Sequence, residues 1–93
     1  MGPARTHVPA ESPLVARHHL NWRLKAMERF STISDEELVF TSPMTLSRKD
    51  GRAVREAIAE LIEKVSGVVE RTDPEKLSVL NIDWIDLGDM SGP

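Results

Sequence analysis

The chain has 93 residues, no cysteine, and 12 Lys and Arg against 15 Asp and Glu, for a formal net charge of −3. This length allows one domain, which is marginally stable alone because it buries only somewhat over ~60% of its unfolded surface. The lack of cysteine excludes disulfide frameworks, zinc ribbons and thiol nucleophiles. Because no segment has the ~18 apolar residues of a membrane span, and the first residues lack a signal peptide's apolar stretch, we expect a cytoplasmic protein without membrane partners.

Charge is distributed unevenly along the sequence. Residues 1–29 contain five basic and two acidic side chains, whereas residues 30–93 contain seven basic and thirteen acidic ones. Five dispersed cations fall short of the clustered basic face that nucleic-acid binding requires. We therefore expect no direct specific DNA binding by this chain.

The first part of the sequence predicts a tail followed by a helix. Residues 1–13 contain three of the six prolines and are typical of a disordered tail or the end of a linker. From residue 14 to residue 30 the apolar positions have helical spacing, without Gly or Pro. They form two adjoining stripes, one of Ala16, Leu20, Leu24 and Met27 and one of Val15, Trp22, Ala26 and Phe30. Two stripes exceed one packing face, so we expect this helix to contact two surfaces, one of which belongs to another chain.

A strand, a long helix and a second strand are predicted next. Apolar and polar residues alternate over residues 38–47, the pattern of a half-buried strand, although Pro43 confines it to a sheet edge or a bulge. Ser47 begins a capping box, and an amphipathic pattern over roughly residues 48–71 ends before Pro74. Residues 77–87 are apolar on both sides, which is typical of a strand covered on both faces. Residues 88–93 are expected to fray.

These elements predict a single α/β (α+β) domain over residues 14–87, in the order helix, strand, helix, strand. The last three form a βαβ unit, in which the two strands run parallel. Two parallel strands are too few for an independent sheet. We therefore expect a partner chain to complete the sheet and the protein to be a homodimer.

The candidate ligand or interface residues are His19, Trp22, Arg23 and Trp84. His18 and His19 point about 100° apart on a helix and cannot share a metal, so His19 is interpreted as an interfacial or core residue near Trp22 and Arg23. Trp84 is either core or the lining of a shallow pocket.

No catalytic or metal-binding motif is present. The carboxylates of Asp83, Asp86 and Asp89 do not converge at strand spacing, and the sequence has no phosphate-binding loop, nucleophile elbow or zinc-protease motif. We predict no enzyme activity, no metal and no cofactor.

Three segments, in this order, carry a resemblance to a known family. They are residues 16–27 with His19, the stretch Ser42-Pro-Met-Thr-Leu-Ser47 before the long helix, and Val79-Leu-Asn-Ile-Asp83. Together they resemble the C-terminal domain of unknown function from a paralogous family of predicted bacterial winged-helix-type transcriptional regulators. This sequence departs from the family in having Ile85-Asp86-Leu87 where the family ends on a Phe-Pro-Leu-like segment.

The resemblance implies a role in transcription regulation. It implies a non-enzymatic dimerisation or regulatory module that lacks its own DNA-binding region, which would lie upstream in a longer relative. The chain is then either a fragment or a short stand-alone version of such a regulator. The alternative function is a small-molecule sensor domain, with its site near the last strand and the first helix.

Overall fold

The computed structural model of the protein describes residues 13–90, in which two helices are the main elements. Helix α1 is Pro13–Met27, a short 3₁₀ turn is Phe30–Thr32, and helix α2 is Arg48–Arg71. None of the described residues lies in a β-strand. Within residues 13–90 the fold is therefore all-α, with long irregular segments before and after α2.

Local backbone features define both ends of helix α1. Pro13 is its first residue, a position that needs no backbone N–H and suits the fixed φ of proline. At the other end the helix tightens, because the Arg29 N–H donates to the Ala26 carbonyl at 3.0 Å and the Thr32 N–H donates to the Arg29 carbonyl at 3.0 Å. The predicted helix over residues 14–30 is thus an α-helix to Met27 followed by the 3₁₀ turn.

A hydrogen-bonded turn over residues 34–37 follows the 3₁₀ turn. The Ser34 N–H donates to Glu37 Oε1 at 2.7 Å, and the Glu36 N–H donates to Ser34 Oγ at 3.3 Å. Arg29 holds the same carboxylate with two bonds, Nη1 to Oε2 at 2.9 Å and Nη2 to Oε1 at 3.0 Å. These contacts lower the pKa of Glu37, with the Ser34 N–H as the first cause and Arg29 as the second.

Helix α2 has the bounds that the sequence predicts. Ser47 is the N-cap, and its side chain accepts a hydrogen bond from the Asp50 N–H at 3.0 Å. The helix runs unbroken for 24 residues, roughly 36 Å at 1.5 Å per residue. Its last residue is Arg71, and the C-cap residue Thr72 has an extended backbone, two residues before Pro74.

The predicted α/β fold and its βαβ unit are wrong for the described residues. Residues 38–47 and 77–87 have no regular secondary structure and form no ladder with each other. An alternating pattern favours a pleated strand, but a strand is completed only by hydrogen bonds to a partner, and the pattern does not supply one. The expectation that residues 77–87 are covered on both faces is also wrong, since Leu77 is 84% exposed and Leu87 is 94% exposed.

Packing is shallow throughout the described residues, none of which is buried. The half-buried side chains lie on one side of each helix, since 3.6-residue periodicity places residues three, four and seven apart on one face. In α1 these are Val15, Trp22, Arg23 and Ala26, and in α2 they are Val54, Ile58, Ile62, Val65 and Ser66. Residues 13–90 of a single chain therefore have half-buried stripes and no closed core.

The predicted tail and frayed end fall largely outside this description. Residues 1–12 and residues 91–93 lie beyond the described range. No helix within residues 13–90 has the length and apolar character needed to cross a membrane.

Candidate functional site

Arg23 joins α1 to the segment of residues 81–83. Its Nε lies 3.0 Å from Oδ1 and 2.8 Å from Oδ2 of Asp83, and its Nη2 lies 2.6 Å from Oδ1. The planar guanidinium presents its donors in a fixed fork that matches a carboxylate. Arg23 is 24% exposed and Asp83 is 56% exposed, so the pair sits at the edge of the molecule, open to solvent on the carboxylate side.

Further hydrogen bonds extend this pair into a small network. Arg23 Nη1 donates to the His19 carbonyl at 3.2 Å and to Asn81 Oδ1 at 3.4 Å, and Nη2 donates to the Ile82 carbonyl at 3.1 Å. The Asn81 side chain donates back to the Trp22 carbonyl at 3.4 Å. One turn of α1 thus binds three consecutive residues of the late segment, and we call this contact the Arg23 anchor.

The charges in the Arg23 anchor favour the ionised carboxylate. Hydrogen bonding from Arg23 is the largest effect and holds the pKa of Asp83 below its ordinary value of 3.8. Burial opposes this shift, and the charges of Arg23 and then His19 act in the same direction as the hydrogen bond. Asp83 therefore stays charged at every pH where the chain is studied near neutrality. The anchor is a structural contact with no titration in that range.

The structure brings three of the four predicted site residues together at the anchor. Arg23 supplies the side chain, whereas His19 and Trp22 take part through their carbonyl groups. His19 is exposed, so of its two predicted positions the structure excludes the core, and the interface position stays a prediction. The centroid of its ring lies 5.7 Å from that of His18, with the rings edge to face. Trp84 follows Asp83 directly and is 37% exposed.

The three acidic residues of the last segment, Asp83, Asp86 and Asp89, each bind a different group. Asp83 binds Arg23, Asp89 Oδ1 accepts from Arg48 Nη2 at 2.9 Å, and Asp86 accepts from the Gly88 N–H at 3.0 Å. Each carboxylate has its own partner, although the strand spacing on which the sequence argument rested is absent from this segment. Within residues 13–90 no group of three or more His, Cys, Asp or Glu could hold a metal ion.

Sequence reasoning did not find Asn81 and Asp83 as partners of Arg23. One signal was present in the sequence. Asn81 and Asp83 are the polar positions within the otherwise apolar residues 79–85, and residues two apart in an extended segment point to the same side. A second signal was the composition of α1, which contains Arg17, Arg23 and Lys25 and no acidic residue. Neither signal specifies which cation meets which carboxylate.

A second side of α1 carries an apolar surface that the anchor leaves uncovered. This surface, the open stripe, consists of Ala16, Leu20, Leu24 and Met27, and its three large side chains are 56%, 47% and 57% exposed respectively. At about 100° per residue the centre of the open stripe lies roughly 120° around the helix from the half-buried side. The open stripe and the half-buried side are therefore adjoining surfaces of α1, and Arg23 lies next to Ala16 at the edge between them.

Comparisons of the chain with known protein families, with functionally characterised proteins and with solved structures found no match. The resemblance to the C-terminal domain of winged-helix-type regulators stays a prediction from three sequence segments.

Proposed function

We propose that this chain is a non-enzymatic association module that acts as a homodimer. The observation that carries the proposal is the absence of any buried residue among residues 13–90, together with an apolar open stripe on α1. Apolar area removed from water contributes roughly 25 cal/mol per Å² to stability, and this chain removes little of it alone. Association with a second copy supplies the missing burial, as in homodimers whose stability depends on protomer concentration.

The proposal includes a place in a bacterial transcriptional regulator, in the cytoplasm. Its support is the order of the three resembling segments, one of which, residues 79–83, contains the partner of Arg23. In such a regulator a separate upstream region binds DNA, and the present chain contributes dimerisation. Dimer formation is useful there because paired half-sites on DNA match the two-fold symmetry of a protein dimer.

The small-molecule sensor is the weaker alternative. Its expected site, between the late segment and α1, is where the Arg23 anchor lies. All three nitrogens of the Arg23 guanidinium already donate to groups of the chain itself, and Asp83 occupies the place that an anionic ligand would take. A ligand there would have to displace an ion pair, which the homodimer does not require.

Sedimentation of the full chain over a range of micromolar concentrations tests the homodimer. We expect the weight-average mass to rise with concentration, and Leu24→Asp to abolish the rise, because a charge buried without a partner opposes association. Asn21→Asp is the matched control, since it places the same charge at an exposed polar position of α1 and should leave the mass unchanged. A folded chain that stays monomeric at every concentration would contradict the proposal.

A further inference from the structure

We infer that the dimer forms by antiparallel packing of α1 against α1 of a second copy, through the open stripe. This inference rests on the proposed homodimer and specifies its interface. A two-fold interface uses the same patch on both chains, so the patch has to be complementary to itself. The open stripe meets that requirement in shape and in charge.

The shape requirement is met by the order of side chains along the stripe. In an antiparallel pair centred near residue 22, Leu20 of one copy lies opposite Leu24 of the other, and small Ala16 lies within one residue of long Met27. The residue spacings of four, four and three form a ridge of the kind that packs between helices 8–10 Å apart. The stripe spans about 16 Å of helix at 1.5 Å rise, so we expect a small interface and a weak dimer.

The charge requirement selects the antiparallel orientation. Arg17 and Glu28 lie on the same flank of the open stripe, within about 40° of Leu24 around the helix axis. Glu28 continues the helical path beyond Met27, since its N–H donates to the Leu24 carbonyl at 3.3 Å. Antiparallel packing brings Arg17 of one copy to Glu28 of the other, twice by symmetry. In a parallel two-fold pair this flank of one copy would lie beside the other flank of its partner, so Arg17 and Glu28 would find no opposite charge across the interface.

The other charges of α1 do not oppose this packing. Arg23 is bound by Asp83 in the anchor. Lys25 lies about 145° from the centre of the stripe, and its ammonium is 3.9 Å from Glu28 Oε1, with both side chains about two-thirds exposed or more. Such an exposed pair contributes little, so Glu28 is able to bind Arg17 of a second copy.

Charge reversal tests the pairing directly. Arg17→Glu and Glu28→Arg should each weaken the dimer by about tenfold, because each sets like charges opposite each other twice. An equimolar mixture of the two variants should form a heterodimer within about threefold of wild-type affinity, since both contacts are again opposite in sign. The double variant should dimerise alone for the same reason. Sedimentation or fluorescence titration measures the affinity of the full chains.

The variants are chosen so that loss of helix cannot imitate loss of the contact. An acidic residue near the N-terminal end of α1 and a basic residue near its C-terminal end both favour the helix dipole. Circular dichroism should therefore show no loss of helix in either variant. Lys25→Ala is the control for the internal pair and should leave the dimer affinity unchanged.

The outcomes separate this inference from the proposed function. If the wild-type chain is monomeric, the proposed homodimer itself fails. If the wild type dimerises and neither reversal weakens it, or the mixture is not rescued, the α1 pairing is wrong and another face, such as α2, forms the dimer.

Discussion

The ion pair between Asp83 and Arg23 makes a small contribution to the stability of this chain. Its lowered pKa means that the Arg23 anchor contributes stability above the ordinary value of 3.8 and loses it as the pH falls from there through the lower pKa of the folded chain. Because Asp83 is more than half exposed, solvent screens the pair. We expect a contribution below about 1 kcal/mol.

Asp83→Asn tests this contribution while keeping the shape and one acceptor oxygen of the side chain. Near neutral pH the variant should unfold at lower urea concentration than the wild type, by less than about 1 kcal/mol in the free energy of unfolding. The difference should shrink as the pH falls below 3.8, since the wild-type carboxylate then gains its proton. A difference that is independent of pH would mean that the anchor depends on hydrogen bonding alone. Asp86→Asn is the control, because Asp86 binds only its own Gly88 N–H among the described contacts.

At the scale of elements, Gly51 in the first turn of α2 lies close to a side chain that precedes the helix. A Cβ at Gly51 would lie 3.2 Å from Leu46 Cδ1, closer than comfortable contact. Leu46 precedes the N-cap Ser47 and so has the N′ position of a hydrophobic staple, but the N4 position is Gly51, which has no side chain to complete it. Glycine permits this close approach at a cost in helix propensity of about 1 kcal/mol relative to alanine.

Gly51→Ala should stabilise the chain by up to about 0.5–1 kcal/mol. The reason is that Leu46 is 42% exposed, so the end of its flexible side chain can move by the few tenths of an ångström that the new methyl group needs. Thermal unfolding followed by circular dichroism measures the change. Destabilisation would show that Leu46 is fixed in place, and the variant pair Leu46→Ala with Gly51→Ala would then recover the full gain in helix propensity.

Helix α2 was predictable from the sequence because everything that defines it is local. The cap at Ser47, the apolar stripe and the break before Pro74 act within a few residues of one another. The predicted strands at 38–47 and 77–87 were wrong, since a ladder requires a distant partner that the alternating pattern does not supply. The anchor lies between these cases. Arg23 was a candidate, but its partner Asp83 is 60 residues away in sequence.

At the scale of the whole molecule, the part of the chain that the structure describes contains no buried core. Ile58 and Ile62 are half-buried and Leu61 is exposed on the same helix, so even the strongest amphipathic face is covered on one side only. Large apolar surfaces that stay open on a single chain mark contacts with other molecules. The open stripe on α1 and the partly covered face of α2 have the same cause, which is that the described residues bury too little apolar area. The association proposed for the open stripe follows from that shortage.

Charge across the whole molecule leads to the last prediction, that this chain does not bind duplex DNA with sequence selectivity. A recognition helix needs Arg, Asn or Gln side chains free to reach base edges. In α1 the candidates are Asn21 and Arg23, and Arg23 is held by Asp83 and Asn81. The net charge of −3 also opposes approach to phosphate.

Fluorescence anisotropy with labelled duplexes of different sequence measures the binding. Weak association at low salt, equal for all sequences and lost by about 0.15 M salt, is the expected result, because it reflects phosphate contacts alone. Arg17→Glu should weaken that association uniformly across sequences. Selective binding that persists at about 0.15 M salt and is lost in Arg23→Ala would contradict the prediction, since the guanidinium would then have left Asp83 to contact a base.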